Sequence, residues 1–166
     1  MEAVDEETGS AAPRVVPFEQ VRKGYTFFRE GDVLFAKITP CMQNGKHAIA
    51  EGLLDGVGFG TTEFHVVRPS DQITADWIHW FLRRPDVLAV AKDAMTGAVG
   101  QQRVPPQYLF DLQLPIPPLP EQHRIIARWH ELRTAVTEAR RVLDAQISDL
   151  KALEPALLRA AFSGAL

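Results

Sequence analysis

From Glu121 to Glu154 the chain runs 34 residues without a glycine or a proline. It follows directly on a cluster of breakers, Pro115, Pro117, Pro118 and Pro120. Within it, apolar residues fall at Ile125, Trp129, Leu132, Val136, Ala139, Leu143, Leu150 and Leu153, in steps of 4, 3, 4, 3, 4, 7 and 3. That is a heptad seam interrupted at Gln146. At 1.5 Å per residue the run predicts a rod of about 51 Å. A stripe of that length asks for a partner helix, with Ile125, Trp129, Leu132, Val136, Leu143, Leu150 and Leu153 as its pairing residues. The other reading is a helix folded back along its own domain, with contact failing at Ala139 and Gln146. Pro155 is expected to break or restart the helix, leaving Ala156 to Phe162 as a second short helix with Gly164 as its stop.

Before the prolines the grammar differs, since Gly and Pro punctuate short apolar runs in the manner of strands and turns. Asp32 to Ile38 and Thr61 to Val67 read as strands, with Phe64 and Val66 on one face. Asn44-Gly45 between them is a turn signal. Trp77 to Leu82 reads as a short helix capped by Thr74 or Asp76, and Val87 to Met95 as another after Pro85. Leu112 and Leu114 alternate with polar residues as a last strand. The expected class is α+β, a mixed and mostly antiparallel sheet domain over 1–118, then a long coiled-coil-type helix with a short C-terminal helix over 119–166.

Charge narrows the function classes. The 166 residues carry 18 Lys and Arg against 21 Asp and Glu, a formal charge of -3. Glu2, Asp5, Glu6 and Glu7 alone contribute -4, leaving about +1 for the rest. A polybasic binder is excluded, whereas a local basic patch is not. Cys41 is the single cysteine, so neither an internal disulfide nor a Cys-rich zinc site is available. No stretch approaches the roughly 18 apolar residues of a membrane span, and the acidic start lacks the apolar run of a signal peptide. The expected location is the cytoplasm.

Enzyme chemistries fail on spacing. Pro40-Cys41 matches part of a zinc deaminase signature, but position 44 is Asn where the second Cys belongs, and Glu63-Phe-His65 reverses the required His and Glu. A Cys41 nucleophile with His47 or His65 as base rests on residue type alone. Glu63 and Asp32 read as a carboxylate pair or, equally, as solvated strand-end charges. No Walker loop, G-x-G-x-x-G or H-E-x-x-H occurs.

Nucleic-acid vocabulary appears twice. Lys37, Thr39, Gln43, Asn44 and Lys46 cluster with His47 around one turn. Thr96-Gly-Ala-Val-Gly-Gln-Gln-Arg103 repeats the theme with Thr96, Gln101, Gln102 and Arg103. Amides read adenine edges, Lys and Arg read guanine, and hydroxyls and turn amides suit phosphates. The bland counterpart is a pair of polar surface loops, with Asn44 serving its turn and Arg103 pairing with Asp93 or Asp111.

Several longer strings resemble a known family. They are Gly31-Asp-Val-Leu-Phe-Ala-Lys-Ile-Thr-Pro-Cys41, Asn44-Gly-Lys46, Gly60-Thr-Thr-Glu-Phe-His-Val-Val-Arg-Pro69, Met95-Thr-Gly97, Gly100-Gln-Gln-Arg-Val-Pro105, Leu114-Pro-Ile-Pro-Pro-Leu-Pro-Glu-Gln122 and Ala161-Phe-Ser-Gly164. In this order they resemble the specificity subunit of type I restriction-modification systems. The resemblance implies a target recognition domain and one spacer helix, with no catalytic centre and no cofactor in this chain. It implies double-stranded DNA as ligand, with methyltransferase subunits using S-adenosylmethionine and a restriction-translocase subunit using ATP and Mg²⁺ as partners. A second specificity-type half, or a second copy of this chain, would pair through the helix. Met1 to Gly9 looks like the interior of a recognition domain whose first helix and strand are missing, so an N-terminally truncated member is expected. The alternative is a truncated fragment acting through its helix as a protein-interaction module without DNA binding of its own.

Overall fold

The computed structural model describes residues 1–98 and 100–163, which form two compact units, 1–122 and 123 onward. In the first unit a short helix α1 (Phe18–Val21) precedes strands β1 (Thr26–Arg29), β2 (Val33–Ala36), β3 (His47–Ile49), β4 (Val57–Gly60) and β5 (Phe64–Val67). Helices α2 (Ala75–Leu82), α3 (Pro85–Asp93) and α4 (Pro106–Asp111) follow, and α5 (Leu119–Ser163) begins in this unit and supplies the second.

All pairings are antiparallel. One sheet has the order β3-β2-β5 and the other is the β1-β4 pair. The central strand β2 is buried at all four positions. Because successive side chains point to opposite faces, Val33 and Phe35 enter one core with Met42, Ile78, Leu82, Val87, Ala91 and Val104. Leu34 and Ala36 enter a second with Val4, Phe28, Ala48 and Phe64. Two-sided burial is why this strand reads as an unbroken apolar run.

The second core includes a close approach in the β1-β4 pair. Phe28 stands opposite Gly58, and a Cβ added at Gly58 would overlap its ring, 2.8 Å from Cζ. The N-terminal residues belong to the same core. A bridge between Val4 and Ala11 closes residues 1–12 into a hairpin-like fold, and Val4 is buried.

Helix α2 starts where its cap predicts. The Thr74 side chain accepts a hydrogen bond from the Trp77 N–H at 3.1 Å. Pro85 opens α3 at its first turn, where the missing N–H is harmless. Leu112 and Leu114 do not form a strand. Pro106–Asp111 is helical instead, and the two leucines sit half-buried on the larger core in an extended connection. The prolines at 115, 117 and 118 remove the donors a ladder needs. Trp77 fastens this connection by donating from Nε1 to the Pro115 carbonyl at 2.8 Å.

Gln122 completes the first unit. It is fully buried, its Oε1 accepts from the Thr74 N–H at 3.0 Å, and its Nε2 donates to the Gln72 and Pro117 carbonyls, each at 2.8 Å. The amide has both donors and acceptors to spend, and spends them on three backbone groups that would otherwise be unpaired.

In the second unit Pro155 neither breaks nor restarts the helix, because α5 is continuous through it to Ser163. Proline's φ fits a helix, and the cost of Pro155 is local, the lost hydrogen bond to the carbonyl four residues back and the crowding of its ring against that carbonyl. At 45 residues the helix measures about 68 Å rather than 51. The seam is exposed, from Ile125 at 36% through Trp129 at 43% to Leu150 at 68%, and it continues past the proline to Leu157 at 49%. Gly164 lies outside the described residues. No described helix is long and apolar enough to cross a membrane.

His47 makes this fold sensitive to pH. Its ring is fully buried and stacks on Phe35 with centroids 4.2 Å apart, and Nδ1 accepts from the Ala36 N–H at 3.0 Å. Burial, with the Arg83 and His79 charges adding to it, lowers its pKa to about 3. Between the unfolded value near 6.5 and that lowered one, the unfolded chain holds a proton the folded chain does not, so stability falls as pH falls through this window. Urea titrations from pH 7 to pH 4 are expected to show a loss of up to about 1.4 kcal/mol per pH unit from this ring. His47→Gln should lower stability at pH 7 and flatten that slope, and an unchanged slope would assign the acid sensitivity elsewhere.

Candidate nucleic-acid interface

The site starts where β2 ends. After Ala36 the chain passes Lys37, Ile38 and Thr39, makes a tight turn, and returns as β3. The turn is closed by backbone hydrogen bonds from Met42 to Ile38, Asn44 to Pro40 and Lys46 to Cys41, at 2.9 to 3.0 Å. Gly45 takes φ +75°, as the Asn-Gly signal requires. Met42 is fully buried and pins the turn to the core. Gln43 and Asn44 are exposed at its tip, and Lys46 is half-buried.

The second polar segment is a closed loop. Thr96 and Arg103 exchange both backbone hydrogen bonds, at 3.0 and 2.8 Å. Thr96 and Gln101 are exposed, while Gln102 and Arg103 are half-buried.

The fold brings the two segments together, which residue type alone does not reveal. Ile38 bridges Arg103. Thr39 N–H donates to the Gln102 carbonyl at 3.0 Å, and Val104 N–H donates to the Lys37 carbonyl at 2.8 Å. The Thr39 hydroxyl reaches the Met95 sulfur at 3.3 Å. Lys37, Thr39, Gln102 and Arg103 thus form one junction, with Gln43, Asn44 and Lys46 on the turn leaving one side of it, and Thr96 and Gln101 on the loop leaving the other.

Arg103 pairs with Glu63, not with Asp93 or Asp111. Its Nε and Nη2 donate to the two carboxylate oxygens at 2.9 and 2.7 Å. The pairing register explains the choice, since β5 begins opposite Ala36 and so delivers Glu63 to the end of β2 that Arg103 reaches. The Arg103 guanidinium holds the Glu63 carboxyl below its usual range, and Glu63 in turn raises Arg103.

The same register separates the two acids read as a pair. Asp32 lies at the opposite end of β2, where Arg68 donates to both its oxygens at 2.8 and 2.7 Å. Burial would raise that carboxyl, but Arg68 and the Arg29 N–H outweigh it and the net shift is downward. The two histidines considered as bases for Cys41 are spent on backbone. His47 accepts from Ala36, and His65 Nε2 meets the Val104 carbonyl at 2.8 Å, with burial lowering its pKa.

Arg83 carries a role that no sequence signal announced. Its Nη1 donates to the Gly45 carbonyl at 2.6 Å, and its Nη2 to the Glu6 and Glu7 carbonyls at 2.7 and 3.1 Å. One guanidinium at the C-cap of α2 therefore holds the polar turn and the N-terminal segment together. Its acceptors are backbone oxygens, which leave no complementary residue to find. Arg83→Met should cost about 1–2 kcal/mol in urea unfolding, chiefly by leaving the part-buried Gly45 carbonyl unpaired, and Arg83→Lys should recover only part because a point ammonium cannot span the three acceptors.

No protein-family model matches the chain. Two curated relatives, the specificity subunits of the type I restriction enzymes EcoAI and EcoEI of Escherichia coli, are 45% and 41% identical over 125 residues. The alignments cover 75% of this chain and 21% of each relative, so the chain spans about one fifth of their length. The HsdS subunit of Thermoanaerobacter tengcongensis shares the fold with TM-score 0.74 at 24% identity, over 92% of this chain and 39% of that one. A chain from a type I R-M system, solved to explain complex assembly and conformational transition, gives TM-score 0.70 at 23% identity, over 85% and 36%. Over three quarters of its length this chain is similar in sequence to the specificity subunits of two type I restriction enzymes, and over nine tenths it shares the fold of a solved HsdS subunit.

Proposed function

We propose that this chain is a DNA-reading half of a type I specificity subunit. It recognises a short duplex sequence and directs methylation and restriction carried out by other subunits in the cytoplasm. The observation that carries the reading is the junction, where two separate polar segments are zipped by backbone hydrogen bonds into one surface on a rigid strand end. Exposed amides on Gln43, Asn44 and Gln101 are suited to adenine edges, and Lys37 and Lys46 to guanine or phosphate. Arg103, occupied by Glu63, serves first to hold its loop beside the turn.

The chain itself contributes no catalysis. Methyltransferase subunits bring S-adenosylmethionine, and a restriction-translocase subunit brings ATP and Mg²⁺. The exposed seam of α5 pairs antiparallel with the same seam of a second half, supplied by another specificity-type chain or by a second copy. Charge favours that direction. Residues 121–142 carry five Arg against three Glu, while 143–163 carry three acids against Lys151 and Arg159. Antiparallel pairing sets the basic half against the acidic one, and parallel pairing sets like against like. The paired helices then space two reading domains, over about 51 to 68 Å, on the order of 15 to 20 base pairs.

Selection from a randomised duplex library is expected to enrich one motif, and Asn44→Ala should reduce discrimination between that motif and random DNA by about 1–3 kcal/mol. A loss equal on both DNAs would make Asn44 a phosphate or structural residue, and absence of any enriched motif would overturn the reading. Light scattering of the isolated chain should give twice the 18.5 kDa protomer mass, reverting to one with Leu143→Glu and Leu150→Glu together. A monomer at micromolar concentration would leave pairing to a different chain.

A further inference from the structure

Strands β1 and β4 make a ladder that is apolar on both faces. One face holds Phe28 against Gly58 and Gly60 in the second core. On the other, Phe27 and Phe59 stand opposite each other in register with centroids 5.6 Å apart, and Phe18 meets Phe59 edge-on at the same distance. Phe18 is 60% exposed, Tyr25 49% and Phe27 44%. A monomeric surface rarely spends several large rings together without use.

Charge says what suits this face. The stretch 13–29 carries Arg14, Arg22, Lys23 and Arg29 against Glu19 alone, a net +3 in a chain whose total is -3. Glu19 is occupied by Arg22 at 3.2 Å, and the Arg29 guanidinium lies 5.9 Å from the Phe27 ring centre. Cations beside exposed rings hold unpaired nucleotides, the phosphates on the charges and the base planes on the rings. A duplex offers base edges in its grooves and not base faces, so this chemistry differs from that of the Lys37 to Arg103 junction. An apolar protein partner would find no use for the excess of bases.

Position supports the same occupant. The Thr26–Gly60 end of the ladder continues through Thr61 to Glu63 directly into the junction, where Glu63 holds Arg103. We infer that the solvent face of β1 and β4 binds unpaired nucleotides, beside the segments that read the duplex. This goes beyond the duplex-reading role and depends on it only for its location.

The test is fluorescence anisotropy of the full chain with a labelled oligothymidine of about a dozen nucleotides at low salt. The native chain should bind it. Phe18→Leu with Phe27→Leu, which keeps apolar packing but removes the planes, should weaken binding at least fivefold while a cooperative thermal transition persists well above the assay temperature. Arg22→Glu with Lys23→Glu should weaken it and lower its salt dependence. Asn44→Ala should leave oligothymidine binding intact while altering duplex discrimination, so either role can fail without the other. No binding by the native chain, or equal binding by the leucine variant, would overturn the inference. So would loss of a purified methyltransferase subunit from the leucine variant with oligothymidine binding unchanged, which would mark the face as a protein dock.

Discussion

Strand β2 has no side facing water, and the rest of the first unit is arranged around that constraint. A four-residue strand buried on both faces must be covered by two separate cores and hydrogen-bonded along both edges. β3 and β5 supply the edges. Helices α2 and α3 supply one cover, while the N-terminal residues, Phe28 and Phe64 supply the other. A strand so enclosed cannot slip in register without moving apolar side chains to the wrong core. What emerges from its end, Lys37 to Thr39, is therefore anchored to a strand that cannot shift.

The junction extends that rigidity to a loop far away in sequence. Thr39 and Gln102 are joined by backbone, as are Lys37 and Val104, so the contact does not depend on which side chains decorate the tips. Framework and decoration are separable. Gln43, Asn44 and Gln101 stand exposed on the tips, while the hydrogen bonds beneath them are made by backbone alone. The two arginine-carboxylate pairs, Arg68 with Asp32 and Arg103 with Glu63, mark the two ends of the same strand pairing.

Much of this was legible in residue order. The apolar run of β2, the strand at β5, the Asn-Gly turn, the Thr74 cap and the long helix each express one local rule at sufficient length. The failures have physical causes. β3 is three residues long, too short for a period. The β1-β4 pair hides because both faces are apolar and two glycines replace the expected alternation. Leu112 and Leu114 alternate for a reason unrelated to a ladder, each packing onto the core from an extended proline-rich segment. Pro155 looked like a stop because its cost is local, whereas continuity is a property of the whole helix. Among the candidate site residues, sequence named both segments but not their union, because backbone pairing leaves no trace in residue type. Arg83 and Gln122 were missed for the same reason.

The N-terminal dozen residues are acidic, yet Val4 fills a core and Arg83 grips the Glu6 and Glu7 carbonyls. Their acidity faces outward as decoration on a stapled segment. Anyone trimming these residues for crystallisation would be cutting into a core. The long helix is the safer place to attach cargo or a label, on positions off its apolar stripe.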